Sequence, residues 1–113
     1  MYGAKTRPLN IGIDLDDTIT ADQALFKDLI EVFKKHGHKV YIVTARGIDQ
    51  YCEVLREFEP MVDKVIFTGA KAKMECALID IWIDDWPLAI THDFKKTNYT
   101  ACNEIVREGW VKC

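Results

Sequence analysis

The chain has 113 residues, 49% of them apolar, and a net charge of −3. That length suits a single domain spanning residues 1–113, and the apolar share supports a packed core and excludes a disordered chain. The mild negative charge lacks the basic surplus with which proteins capture nucleic acid electrostatically.

Residues 1–8 carry Lys5 and Arg7 with no long apolar run behind them, so neither a signal peptide nor a membrane span is expected. Residues 9–15 read as a buried strand that runs into Asp14, Asp16 and Asp17. Aspartate is a poor strand former and a good turn former, which puts these acids at the strand's exit. Residues 22–35 set Leu25, Phe26, Leu29, Ile30 and Phe33 at helical spacing, with Thr20 or Asp22 as the cap and Gly37 as the stop. Residues 39–44 form a second strand, and 48–58 a second helix that halts near Pro60. Residues 64–68 form a third strand, Gly69 opens a turn, and 70–78 form a short third helix. Residues 79–84 form a fourth strand, and Pro87 breaks the pattern. Residues 88–90 fit either a fifth strand or one helical turn, and 98–108 fit a helix with Cys102, Ile105 and Val106 inward. This alternation implies an α/β fold: a central, mostly parallel sheet between helical layers, in a three-layer α/β/α, Rossmann-like arrangement.

Polar groups close four successive strands. Asp14 and Asp16 follow the first; Thr44, Ala45 and Arg46 the second; Thr68 and Gly69, with Lys71 and Lys73 beyond, the third; Asp84 and Asp85 the fourth. In a parallel sheet these four ends share one edge, the edge where ligands bind. Acids gathered so closely repel one another unless a cation or a phosphoryl group makes use of them. His36, His38 and His92 have no partner at zinc-ligand spacing, and no glycine-rich phosphate loop is present. A nucleoside triphosphatase and a dinucleotide-binding enzyme are thereby disfavoured. Cys52, Cys76, Cys102 and Cys113 include no zinc-knuckle or Cys-x-x-Cys spacing, so they read as free thiols in a reducing, cytoplasmic setting.

The run Asp14-Leu15-Asp16-Asp17-Thr18, then Val43-Thr44, then a lysine, then Ile83-Asp84-Asp85 resembles the haloacid dehalogenase superfamily across residues 11–85. The resemblance implies a phosphohydrolase that uses Mg2+. Asp14 would be the nucleophile, since a carboxylate can attack phosphorus and split hydrolysis into two easier steps. Asp16, two residues on, would protonate the leaving oxygen and then activate water. Thr44 would donate to a phosphoryl oxygen, with Ala45 and Arg46 in the substrate loop, although Arg46 also fits an ordinary surface residue. Lys73 would neutralise phosphate and nucleophile, with Lys71 as the alternative. The implied metal ligands are Asp14, the backbone carbonyl of Asp16 and one acid of the Asp84/Asp85 pair, with Asp85 favoured and Asp84 supporting it. Trp86 fits a stacking wall for a base or sugar, or simple packing.

The stretches from Asp14 to Thr44 and from Thr44 to Lys73 leave room for no cap domain, so the cleft is expected to be open. Water would then be excluded by a large phosphorylated substrate, by a neighbouring subunit of a homo-oligomer, or by the loop at 18–22. Capless members of the superfamily act on nucleic-acid ends, sugar phosphates and proteins, and the sequence does not choose among these substrates. Two other readings stand beside this one. A receiver-like phospho-signalling module would carry its acceptor aspartate at the end of the third strand, where this chain has Thr68. An inactive relative serving as a binding subunit would be expected to lack one of the catalytic residue types.

Overall fold

The computed structural model describes residues 6–94; the helix expected at 98–108 lies outside them. Four short strands, β1 (Asn10–Ile13), β2 (Lys39–Thr44), β3 (Lys64–Phe67) and β4 (Ile81–Ile83), form one sheet in the order β3-β2-β1-β4. Every pairing is parallel, with Ile11 opposite Val40 and Ile81, and Ile13 opposite Ile42 and Ile83. The architecture is the α/β arrangement that the alternation of elements implies.

Side chains alternate across a strand, so Ile11, Ile13, Val40 and Ile42 share one face, and all four are fully buried. The helices α1 (Gln23–Lys35) and α2 (Glu53–Phe58) cover that face with Phe26, Ile30, Leu55 and Phe58. Burying each such side chain contributes roughly 1.5–3 kcal/mol. Asp22 starts α1 by accepting the Leu25 N–H at 3.1 Å, and Gly37, at φ +86°, ends it. On the other face Gly12 lies under Ile79 and Trp82, where a Cβ would come within 3.0 Å and 3.2 Å of them. The missing side chain lets those two seat directly on β1.

From β3 at one edge the chain crosses back to β4 on the far side of β1. Right-handed crossovers then put α1 and α2 on one face and α3 (Lys73–Cys76) on the other. The reversal leaves a crevice between the carboxyl ends of β1 and β4, the topological switch point. The segments between Asp14 and Lys73 hold only these elements and short turns, with no cap insertion.

Several local expectations are corrected. The helix expected at 48–58 is a 3₁₀ turn at Ile48–Gln50, an extended step at Tyr51 and Cys52, and then α2. Ile48 is 76% exposed, so its apolar side chain gives no helix a buried face to pack. The third helix keeps only Lys73–Cys76, because Gly69 and Ala70, at φ +60° and +68°, form a left-handed turn where it was expected to begin. Residues 88–90 are helical, within α4 (Leu88–Thr91). Cys76 is a free thiol as expected, but Cys52 is disulfide-bonded. No described helix is long and apolar enough to cross a membrane.

Candidate active site

The site begins where β1 ends. The Asp14 N–H donates to the Ile83 carbonyl at 2.9 Å, which carries the ladder one residue past β1 and fixes Asp14 beside the end of β4. The chain then turns sharply through Asp17 at φ +63°, and the Asp17 N–H donates to Thr20 Oγ1 at 2.8 Å. Ile19 is fully buried. The 18–22 segment is thus anchored in the core at Thr18 and Ile19, while Ala21 and Asp22 are exposed.

Lys73 opens α3 behind the fully buried Ala72 and reaches into the crevice. Its Nζ lies 2.7 Å from Asp14 Oδ1 and 2.6 Å from Asp84 Oδ2, with the three side chains 1%, 9% and 2% exposed. Lys71 instead lies on the surface, 3.9 Å from Glu75. Of the two lysines, Lys73 is the one the fold brings to the acids. Thr18 Oγ1 sits 3.1 Å from both Asp14 Oδ2 and Asp85 Oδ1 and accepts the Asp85 N–H at 3.2 Å. Oxygens of Asp14, Asp84 and Asp85 lie within 4.8 Å of one another. Asp84 has both oxygens engaged, Oδ2 by Lys73 and Oδ1 by the Trp86 N–H at 2.9 Å. Asp85 is solvent-exposed, and so the more open carboxylate of the pair.

Asp16 is held apart from this group. Arg46 donates to both of its oxygens, at 2.9 Å and 2.8 Å. Thr44 is fully buried, and its hydroxyl accepts the Arg46 N–H at 3.2 Å while keeping its own proton to donate. Ala45 is exposed, and its carbonyl accepts the Ala70 N–H at 2.8 Å. The Thr68 and Gly69 N–H groups donate to Thr44 and Arg46, so the loops after β2 and β3 are laced together. Thr68 Oγ1, at the same sheet edge, is buried with no hydrogen-bond partner.

Burial dominates the electrostatics of Asp14. It pushes the carboxyl from its ordinary 3.8 up to about 8; Lys73 pulls in the opposite direction, and the charge on Asp84 adds to the rise. Between about pH 4 and pH 8 the folded, metal-free protein therefore holds a proton that the unfolded chain has already released. Stability from this group is complete below pH 4 and is lost as pH rises through that window, at up to about 1.4 kcal/mol per pH unit. Urea titrations in chelator at pH 5, 6, 7 and 8 are expected to show this loss as a difference from Asp14→Asn. A difference that is flat or rises with pH would contradict it.

Two contacts escaped the sequence reading. Thr18 follows Asp14 by four residues, and only the turn between them reveals that its hydroxyl bridges two acids. Arg46 and Asp16 are 30 residues apart, but they leave adjacent strands. Pairing the expected β1 and β2 ends would have juxtaposed them. Trp86 stacks on Phe94, with ring centroids 4.9 Å apart and planes at 21°, and so packs at the rim.

The fold and site together define an α/β domain with an acid-lysine centre at its topological switch point. No protein-family model, curated protein or solved structure matches the chain.

Proposed function

We propose that the chain is a capless, magnesium-dependent phosphohydrolase of the haloacid dehalogenase type, acting on phosphate monoesters through an aspartyl-phosphate. The observation that carries this reading is the Lys73 ammonium held 2.7 Å from Asp14 and 2.6 Å from Asp84, beside Asp85. The donor set fits Mg2+, which takes hard oxygen ligands. One lysine also leaves the buried acids under-compensated, since Asp14 remains raised to about 8 despite it. Asp14, Asp85 and the Asp16 backbone carbonyl would hold the ion, with Asp84 supporting through Lys73. When bound, Mg2+ would supply the positive charge that keeps Asp14 ionised and offsets the phosphoryl charge.

The protein's own groups then have distinct tasks. An Asp14 oxygen attacks phosphorus as the ester oxygen leaves, and the leaving oxygen takes a proton from Asp16. Asp16 then accepts a proton from the water that hydrolyses the Asp14 acyl-phosphate, which returns Asp14 to a carboxylate and Asp16 to its protonated form. Lys73 balances charge on Asp14 and the phosphoryl oxygens, and the Thr44 hydroxyl donates to one of them. The open edge suits a nucleotide, a sugar phosphate or a nucleic-acid end, with water excluded by the substrate itself or by a second subunit.

The test is phosphate release from p-nitrophenyl phosphate, nucleoside monophosphates, sugar phosphates and 3′-phosphorylated oligonucleotides. Turnover with Mg2+, abolished by chelator, is expected for at least one class. A long-lived phosphoprotein formed from acetyl phosphate would favour the receiver-like reading. Silence across the panel would overturn the hydrolase and favour a binding subunit.

A further inference from the structure

The crevice holds four carboxylates but gathers only three. Asp14, Asp84 and Asp85 converge on the β4 side of β1, and Asp16 stands outside their group. Arg46 draws it toward β2: Nε lies 2.9 Å from Asp16 Oδ2 and Nη2 lies 2.8 Å from Oδ1. A planar guanidinium meeting both oxygens is the strongest and most directional form of such a pair. The two side chains are only 11% and 18% exposed, so water screens them little.

Arg46 is itself firmly mounted. Nη1 donates to the Gln50 carbonyl at 2.9 Å, and its carbonyl accepts the Gly69 N–H at 3.2 Å. The turn it leans on is closed by the Gly47 N–H on Gln50 Oε1 at 2.8 Å. A guanidinium anchored in this way sets the position of Asp16, and the carboxylate follows. Without the fork, a hard oxygen donor two residues from Asp14 would be available to a nearby divalent cation.

We propose that Arg46 is a positioning residue that partitions the four acids: it withholds the Asp16 carboxylate from the cation and holds it on the β2 side of Asp14, leaving Asp14 and Asp85, with Asp84 in support, for the metal and Asp16 for proton transfer. This rests on the metal-dependent reading above.

The test is calorimetric titration of Mg2+ into the full chain, with Arg46→Lys placed in the unsubstituted and Asp16→Asn backgrounds. Lysine keeps the charge but cannot fork, so a purely coulombic effect of Arg46 would barely move. Arg46→Lys is expected to tighten Mg2+ binding about tenfold, and to change it less than about twofold in the Asp16→Asn background. The turnover rate for a small phosphate ester is expected to fall in Arg46→Lys with little change in KM. If circular dichroism shows that Arg46→Lys does not fold, Arg46→Gln runs the same cycle. Equal shifts in both backgrounds, or weaker Mg2+ binding, would overturn the partition while leaving the metal site standing. No Mg2+ binding by the unsubstituted chain would overturn the metal reading and the partition with it.

Discussion

Replacing Asp14 with asparagine is expected to lower phosphate-ester hydrolysis by about a thousandfold or more, some 4 kcal/mol of transition-state stabilisation, without unfolding the protein. The amide keeps the shape of the carboxyl but cannot form the acyl-phosphate. It also suits the buried position. Burial holds the Asp14 carboxyl at about 8, so near neutral pH the metal-free site already favours a neutral group there. The amide oxygen can still accept from the Lys73 ammonium, which approaches Asp14 Oδ1 to 2.7 Å. Activity and stability should therefore move apart: hydrolysis is lost, while the urea midpoint in chelator is unchanged or higher, most clearly at pH 8 and above. Substantial turnover by a purified, folded Asp14→Asn protein would remove Asp14 as the nucleophile.

The second large effect belongs to Lys73. Its ammonium is 1% exposed and touches two carboxylates that are themselves 9% and 2% exposed. Lys73→Met leaves the methylene volume but strands Asp84 Oδ2 without its partner in a dry crevice. Removing one member of a buried ionic cluster costs about 3–5 kcal/mol, because the remaining charge stays buried uncompensated. Urea denaturation in chelator should show a loss of that size, and hydrolysis should fall with it. Mg2+ is expected to narrow the stability gap, since it too would compensate the acids. Lys71→Met is the matched control. Its ammonium is 47% exposed and 3.9 Å from Glu75, a geometry worth about 0–1 kcal/mol. Equal losses for the two lysines would show that the assignment of Lys73 to the buried centre is wrong.

These expectations rest on features that differ in how plainly the sequence announces them. The strands were legible because their apolar runs are short and bounded by turn formers, and α1 because Phe26 and Ile30 recur at helical spacing behind a capping Asp22. The helix expected at 48–58 was too long, because exposure of Ile48 and an extended Cys52 are consequences of what lies nearby in space. Ala70 at φ +68° could not be foreseen either: alanine carries no mark of a left-handed turn, and it is held there by its N–H on the Ala45 carbonyl and by the Phe94 N–H on its own carbonyl.

For the candidate site, the order of chemical groups along the chain determined which residues lie at the carboxyl edge, because a parallel sheet brings every strand end to the same side. Asp14, Thr44 and Asp84 follow from that rule, and Lys73 with Lys71 as its alternative. Tertiary structure decided the pairings. It chose Lys73 over Lys71 by burying one and leaving the other in water. It engaged both oxygens of Asp84 and left Asp85 toward solvent, and it turned Asp16 away from the acids to Arg46. Sequence specifies a residue's place along a strand or turn through local sterics and burial. Which charge it meets depends on distances of a few ångströms across strands far apart in the chain, and those are set only when the sheet closes.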